Sequence, residues 1–250
     1  GVFAETGITL ADSLPVIRKW LAECRVNQYE DGKVANIAPR NNRPSYFTAM
    51  LAGSVGWGDA CVIVPYVLYK RTGDLRILQE NYAMMQRWYA FLEQRAGQKS
   101  DKSVIGKENP FSAYTIETGV DYGEWCEPGI SAQAAMMKPQ YKVTTAYYAR
   151  TGRMLSEIAE ILGNEADAAY YREIAGNAAQ AFHWVATDNG RIVSDRQAEY
   201  VRAITFGLLS PVEAQAAADD LNELVIKNDY HLNTGFLSTP DLCRVLADHG

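Results

Sequence analysis

The chain has 250 residues, 48 % of them apolar and 22 % charged, with a formal net charge of −6. That length allows a sizeable core, and an acidic balance without any Arg/Lys stripe sets nucleic acid and anionic membranes aside as partners. No window of about 18 uninterrupted apolar residues occurs, so no membrane-spanning helix is expected.

Gly1-Val2-Phe3-Ala4 opens in mid-pattern, as a segment cut from something longer would. Helical periodicity then dominates. Between Leu10 and Tyr29, Leu14, Ile17, Leu21 and Cys24 form one stripe, which Asp31-Gly32 closes. A long loop, 31–58, follows, with a short extended piece expected at Val34–Ile37. It ends in Gly53-Ser-Val-Gly-Trp-Gly-Asp-Ala60, where Asp59 is placed to cap a helix running to Arg71. Thr72-Gly73-Asp74 stops that helix and caps the next, Asp74–Ala96, whose apolar side carries Ile77, Leu78, Tyr82, Met85, Trp88, Tyr89 and Leu92. After a second long loop, 97–136, helices are expected at Pro139–Leu162, Ala166–Trp184, Arg196–Leu208, Pro211–Lys227 and Pro240–Ala247, with Arg191–Ser194 extended. The outcome is an all-α chain of about eight helices. Alternating short and long connections fit paired helices in a toroid with the long loops gathered on one face; an ordinary bundle is the alternative.

Two loop segments share one chemical vocabulary. Ser54-Val-Gly-Trp-Gly-Asp59 sets Trp57 and Asp59 among glycines that admit close approach of a ligand. Asp121-Tyr-Gly-Glu-Trp125, with Glu127 beyond, repeats carboxylates and aromatics around a glycine. Flat rings stack on the apolar faces of sugars while carboxylates accept bonds from hydroxyls, so the pair suits a neutral polyol. The plainer alternative makes Asp59 a helix cap and Trp57 a core plug. His231, in the polar link Asn228–Pro240, serves equally as a hydroxyl partner or a loop fastener; His183 and His249 look incidental. No P-loop, dinucleotide fingerprint, H-E-x-x-H or G-x-S-x-G stretch occurs. The widely spaced cysteines (Cys24, Cys61, Cys126, Cys243) read as free structural thiols in apolar settings, and no metal site or cofactor is indicated.

Several stretches, in order, resemble bacterial α-L-rhamnosidases: Ile17-Arg-Lys-Trp-Leu21, Asp31-Gly-Lys-Val-Ala-Asn-Ile-Ala-Pro39, Gly56-Trp-Gly-Asp-Ala-Cys-Val-Ile-Val-Pro65, Tyr122-Gly-Glu-Trp125, Thr145-Ala-Tyr-Tyr148, Ala203–Leu208 and His231–Thr239. The resemblance implies an inverting glycoside hydrolase with an (α/α)6 barrel of the six-hairpin type, residues 1–250 forming the central part of that single catalytic domain, an incomplete barrel. It implies aromatic walls at Trp57 and Trp125, Tyr122 beside them, and Asp59, Glu124 and His231 as hydroxyl partners. In that family the general acid precedes the stretch matching Val2–Ala4 and the general base follows the one matching Pro240–Ala247. Both are therefore expected outside this chain, which would be inert alone; inverting hydrolysis needs the two carboxyls roughly 6.5–9.5 Å apart. One departure stands out, Glu124 where the family usually has aspartate, and the polar stretch Gly97–Asn109 is long for the family.

The implied partner is a terminal α-L-rhamnoside, without cofactor, nucleic acid or membrane, in a bacterial cytoplasm or periplasm that the sequence does not distinguish. Exposed barrel edges predict a homodimer, which sedimentation would read. Two other functions fit the residues: a different α/α-toroid hydrolase or polysaccharide lyase with Asp59 and Glu124 as its catalytic pair, and a non-catalytic helical sugar-binding domain.

Overall fold

A computed structural model describes residues 2–41, 46–99, 105 and 108–250. Much of the Gly97–Asn109 stretch, at 100–104 and 106–107, lies outside the described residues.

The helices are α1 (Ala4–Leu10), α2 (Leu14–Asn27), α3 (Tyr46–Met50), α4 (Ala60–Thr72), α5 (Leu75–Ala96), α6 (Ala132–Met136), α7 (Tyr141–Ile161), α8 (Glu165–Ala186), α9 (Gln197–Thr205), α10 (Pro211–Lys227) and α11 (Thr239–His249). Local chemistry sets their ends. Gly73 takes the left-handed conformation at φ +70° and its N–H bonds the Tyr69 carbonyl, closing α4. Asp74 accepts from Arg76 N to open α5, and Ser210 and Glu213 form a reciprocal capping box with Pro211 in the first turn of α10.

The hairpins α4/α5, α7/α8 and α9/α10 each pack as a pair, while α4 meets α7, α7 meets α9 and α9 meets α11. One helix of every pair thus joins a continuous inner row, as the toroid expectation requires. The core between the rows is aromatic: Trp88, Tyr89, Tyr148 and Phe182 are almost wholly buried. Tyr89 Oη donates to the Tyr148 carbonyl at 3.4 Å. Gly152 of α7 makes that packing fit, because a Cβ there would stand 2.2 Å from Tyr89 Oη.

Several expectations need correction. The helix read from Leu10 onward begins at Leu14, with Pro15 in its first turn, and ends at Asn27, where Gln28 turns extended. Asp59 stands at the N-cap position of α4, but its side chain makes no capping bond there. Val34–Ile37 forms no strand; among the described residues the one ladder pairs Thr187–Asp188 with Arg191–Ile192 through Asn189 and Gly190, both at positive φ as a tight hairpin demands. Cys24 and Cys61 are buried, and burial pushes the Cys24 thiol up to about 12. Cys126 and Cys243 are exposed rather than packed in apolar settings. Among the described residues no helix is long and apolar enough to cross a membrane.

Candidate functional site

Three connecting segments meet beside the inner row: the turn before α4, the stretch 118–125 before α6, and the stretch 231–238 before α11. The first two are laced together. Val55 N donates to Asp121 Oδ1 at 2.7 Å, and Tyr122 N donates to Ser54 Oγ at 3.0 Å. Arg95, at the buried end of α5, holds Asp121 through Nη2–Oδ2 at 2.7 Å and Nη1–Oδ1 at 3.2 Å, and also donates to the Gly53 and Thr118 carbonyls. A buried ion pair relies on further hydrogen bonds to its partners; here Arg95 Nη1 and Nη2 bond both loops and fix their register, while its Nε is buried without a partner.

Asp59 secures the first loop from beneath. Its carboxylate is fully buried and accepts from Gly56 N at 2.6 Å and from Trp88 Nε1 at 3.1 Å. Burial pushes the carboxyl up to about 6, with those two donors and Arg150 opposing. Gly58 is needed because a Cβ there would stand 2.3 Å from the Trp88 ring.

Glu124 pins the second loop to the third. Its Oε2 takes the Arg202 guanidinium of α9 and, at 2.9 Å, the Ser238 hydroxyl. Its Oε1 takes Gly235 N at 3.1 Å and Ser238 N at 2.8 Å. The segments approach so closely that a Cβ on Gly235 would lie 1.7 Å from the Glu124 carbonyl oxygen. Phe236 N completes the seam on the Trp125 carbonyl at 2.8 Å.

These fasteners present a row of rings. Trp57 stacks on Phe236 (centroids 5.8 Å apart, planes at 22°) and tilts against Tyr122 at 4.7 Å; Tyr122 meets Trp125 edge to face at 5.0 Å. Trp57, Tyr122 and Trp125 are half-buried and Phe236 is exposed. Asn36 Nδ2 donates to Tyr122 Oη at 3.3 Å.

The sequence-predicted residues therefore part company. Trp57, Tyr122 and Trp125 come together with their rings partly open. Asp59 and Glu124, expected to reach sugar hydroxyls, are turned inward with both oxygens of each bonded to the protein, so the ring wall carries no free carboxylate from them. His231 is exposed; its Nδ1 lies 3.2 Å from the Asn228 carbonyl and its own carbonyl accepts from Gln197 and Asn228, which makes it a member of its own turn. Sequence reading did not single out Phe236, Arg95 or Arg202, and it named Asp121 only as one of the carboxylates of its segment. For the arginines a signal was present: each interrupts the buried stripe of its helix, where a lone cation needs a carboxylate partner. Among the described residues no cluster of three or more His, Cys, Asp or Glu side chains is arranged to hold a metal.

The family model for the bacterial alpha-L-rhamnosidase 6 hairpin glycosidase domain matches residues 1–250. An alpha-L-rhamnosidase of Formosa agariphila is 32 % identical over 257 residues, covering 100 % of this chain and 25 % of that protein. The crystal structure of Streptomyces avermitilis alpha-L-rhamnosidase complexed with L-rhamnose superposes with a TM-score of 0.82 at 30 % identity, covering 100 % of this chain and 21 % of that one. The structure of alpha-L-rhamnosidase from Dictyoglumus thermophilum gives 0.81 at 25 % identity, covering 100 % of this chain and 26 % of that one. The chain thus spans about a quarter of the Formosa agariphila relative's length, and its helical hairpins are those of a six-hairpin α/α toroid. It belongs to the bacterial α-L-rhamnosidase six-hairpin glycosidase domain family.

Proposed function

We propose that residues 1–250 are the central part of one (α/α)6 catalytic barrel of an inverting α-L-rhamnosidase, and that they supply the wall holding the terminal rhamnosyl ring. The observation that carries this is the row Phe236–Trp57–Tyr122–Trp125, partly open and rigidly fastened from behind. L-Rhamnose is a 6-deoxy sugar, with a methyl group in place of a hydroxymethyl group, and such a ring gains most from an apolar flat surface that excludes water from it.

The acid and the base come, in this proposal, from parts of the parent outside these residues. Support lies in how the nearby carboxylates are used. Asp59, Asp121 and Glu124 are each buried with their oxygens committed to protein donors, and a general acid must reach the leaving oxygen. Asp59 has the elevated proton affinity an acid needs, yet it is shut beneath the Gly56–Gly58 turn. A catalytic pair of Asp59 and Glu124 finds no support in that placement. The homodimer remains part of the proposal: Phe3 and Leu10 of the first turn and helix and Val16 and Val26 of α2 expose apolar surface that a second copy would cover.

Trp57→Ala in the full-length parent tests the wall. The expected result is a fall in kcat/KM on an aryl α-L-rhamnoside of roughly tenfold or more, about 1.4 kcal/mol of lost stabilisation, with a matching rise in the inhibition constant of free L-rhamnose. Unchanged constants would remove Trp57 from the site.

A further inference from the structure

Asp59 lies beneath the turn that carries Trp57, fully buried, and its hydrogen-bond partners are all donors. Its Oδ2 accepts from Gly56 N at 2.6 Å and its Oδ1 from Trp88 Nε1 at 3.1 Å, and its own N–H adds a third donor. A carboxylate accepts from all of them at once. A protonated carboxyl gives up acceptor capacity and brings an O–H that needs an acceptor of its own, and none stands among those partners.

Val55 is tied to Asp121, but from Gly56 to Gly58 the fastenings are fewer. Gly56 sits at φ +88°, backbone that glycine adopts without strain. Trp57 N reaches the Ser54 carbonyl at 3.3 Å, a long bond, and Gly58 N reaches the same oxygen at 2.9 Å. The bond from Gly56 N to Asp59 is shorter than either and ties the turn to the core, because the wholly buried Trp88 anchors the other carboxylate oxygen. We propose that Asp59 is the positioning residue of Trp57: ionised, it holds the turn so that the indole meets the rhamnosyl ring, and protonated, it releases Gly56 N–H and weakens sugar binding. The inference rests on the reading of the aromatic row as the rhamnosyl wall.

The groups around Asp59 set the pH at which this happens. Burial pushes its carboxyl up to about 6 from an ordinary 3.8. From α7, Arg150 faces it and opposes that rise; its guanidinium lies over the Phe206 ring at 4.2 Å. Tyr147 of α7 and Cys61 of α4 face it as well, and burial pushes both the phenol and the thiol up, so each stays neutral while Asp59 titrates. From α5 the facing group is the Trp88 indole, which does not titrate. As the pH falls through about 6, the added proton relieves the cost of a buried charge and so favours the folded chain. The same proton deprives the turn of its acceptor.

Inhibition of the full-length parent by L-rhamnose, a neutral ligand, measured across this pH range, tests the proposal. Asp59 and the sugar are then coupled sites, so binding is expected to weaken roughly fivefold from the alkaline to the acid side, with a midpoint near pH 6. Asp59→Asn fixes the neutral state: its inhibition constant should hold the weak value throughout, without that break. Carboxyls of the parent that titrate elsewhere keep their own breaks in both proteins, so the difference between the two profiles is what counts. Arg150→Gln keeps Asp59 but removes the facing cation, and is expected to move the midpoint upward, a shift that a merely structural role for Asp59 would not produce. Coincident profiles for the parent and Asp59→Asn overturn the proposal, and so does a midpoint that Arg150→Gln leaves in place. If Asp59→Asn does not fold, Arg150→Gln decides alone. Loss of the underlying reading would look different: Trp57→Ala would leave L-rhamnose inhibition intact at every pH.

Discussion

Replacing Glu124 by alanine is expected to lower the unfolding free energy of the chain by about 3–5 kcal/mol, the cost of leaving a buried guanidinium without its partner. In a chain of this length that is a fall on the order of 10 °C in Tm. Arg202 is 2 % exposed and has no route to solvent, while Gly235 N, Ser238 N and the Ser238 hydroxyl lose their acceptor together. Glu124→Gln should cost nearly as much, because the carboxamide presents one acceptor where two are used and sets a donor against the others. Glu124→Asp keeps the charge but withdraws it by one methylene, and is expected to fall between alanine and the native residue. Removing both charges with Glu124→Leu/Arg202→Met should recover a large part of the loss, since an apolar pair of similar volume can replace a buried ion pair. Thermal and urea melts of the four variants check this; a loss under about 1 kcal/mol for Glu124→Ala would mean that the pin does not hold the loops.

The second expected result is a pH dependence centred on Asp59. Its carboxyl titrates at about 6 in the folded chain against an ordinary value of 3.8. The folded state therefore holds that proton more tightly than the unfolded state. Asp59 contributes stability that is fully present below about pH 4 and is lost as the pH rises through about 6, a swing on the order of 3 kcal/mol. Asp59→Asn should remove this component, so the native chain and the variant would differ in the slope of unfolding free energy between pH 4 and 7. The variant also sets an amide against Gly56 N–H or Trp88 Nε1–H, leaving one of these donors unmatched at a cost of about 1–3 kcal/mol. Parallel curves for the two proteins would show that Asp59 does not titrate in this range.

Much of this fold could be read from local chemistry. The bounds of α10 match the sequence expectation, Pro211–Lys227, because Ser210, Pro211 and Glu213 write the start into neighbouring positions. The α4–α5 turn was equally legible from Gly73 and Asp74. Periodicity has less to work with in α3 and α6, which have five residues each, and α1 carries Gly7 in its middle, where propensity argues against a helix. In the site, the rings were legible because glycine–aromatic clusters on long loops are local signals. The fate of the acids was not. Asp59 is claimed by Trp88, 29 residues away, and Glu124 by Arg202 and Ser238, 78 and 114 residues away. Whether a carboxylate faces a ligand or the core depends on such distant donors, and nothing adjacent to either acid announces them. Phe236 went unnoticed for a related reason: its stacking partner Trp57 comes from the far side of the chain. Glu124 in place of aspartate then takes on a structural sense, since its extra methylene is spent on reaching Arg202 and the Gly235–Ser238 backbone.

In the proposed arrangement these residues hold the sugar while the reacting carboxylates lie in other parts of the parent. Hydrolysis of p-nitrophenyl α-L-rhamnoside by the 250-residue chain, measured beside the full-length parent, tests it most directly. Turnover by the parent and none by the chain alone is the expected result. Turnover by the chain alone would place the acid and base among residues 1–250 and contradict it.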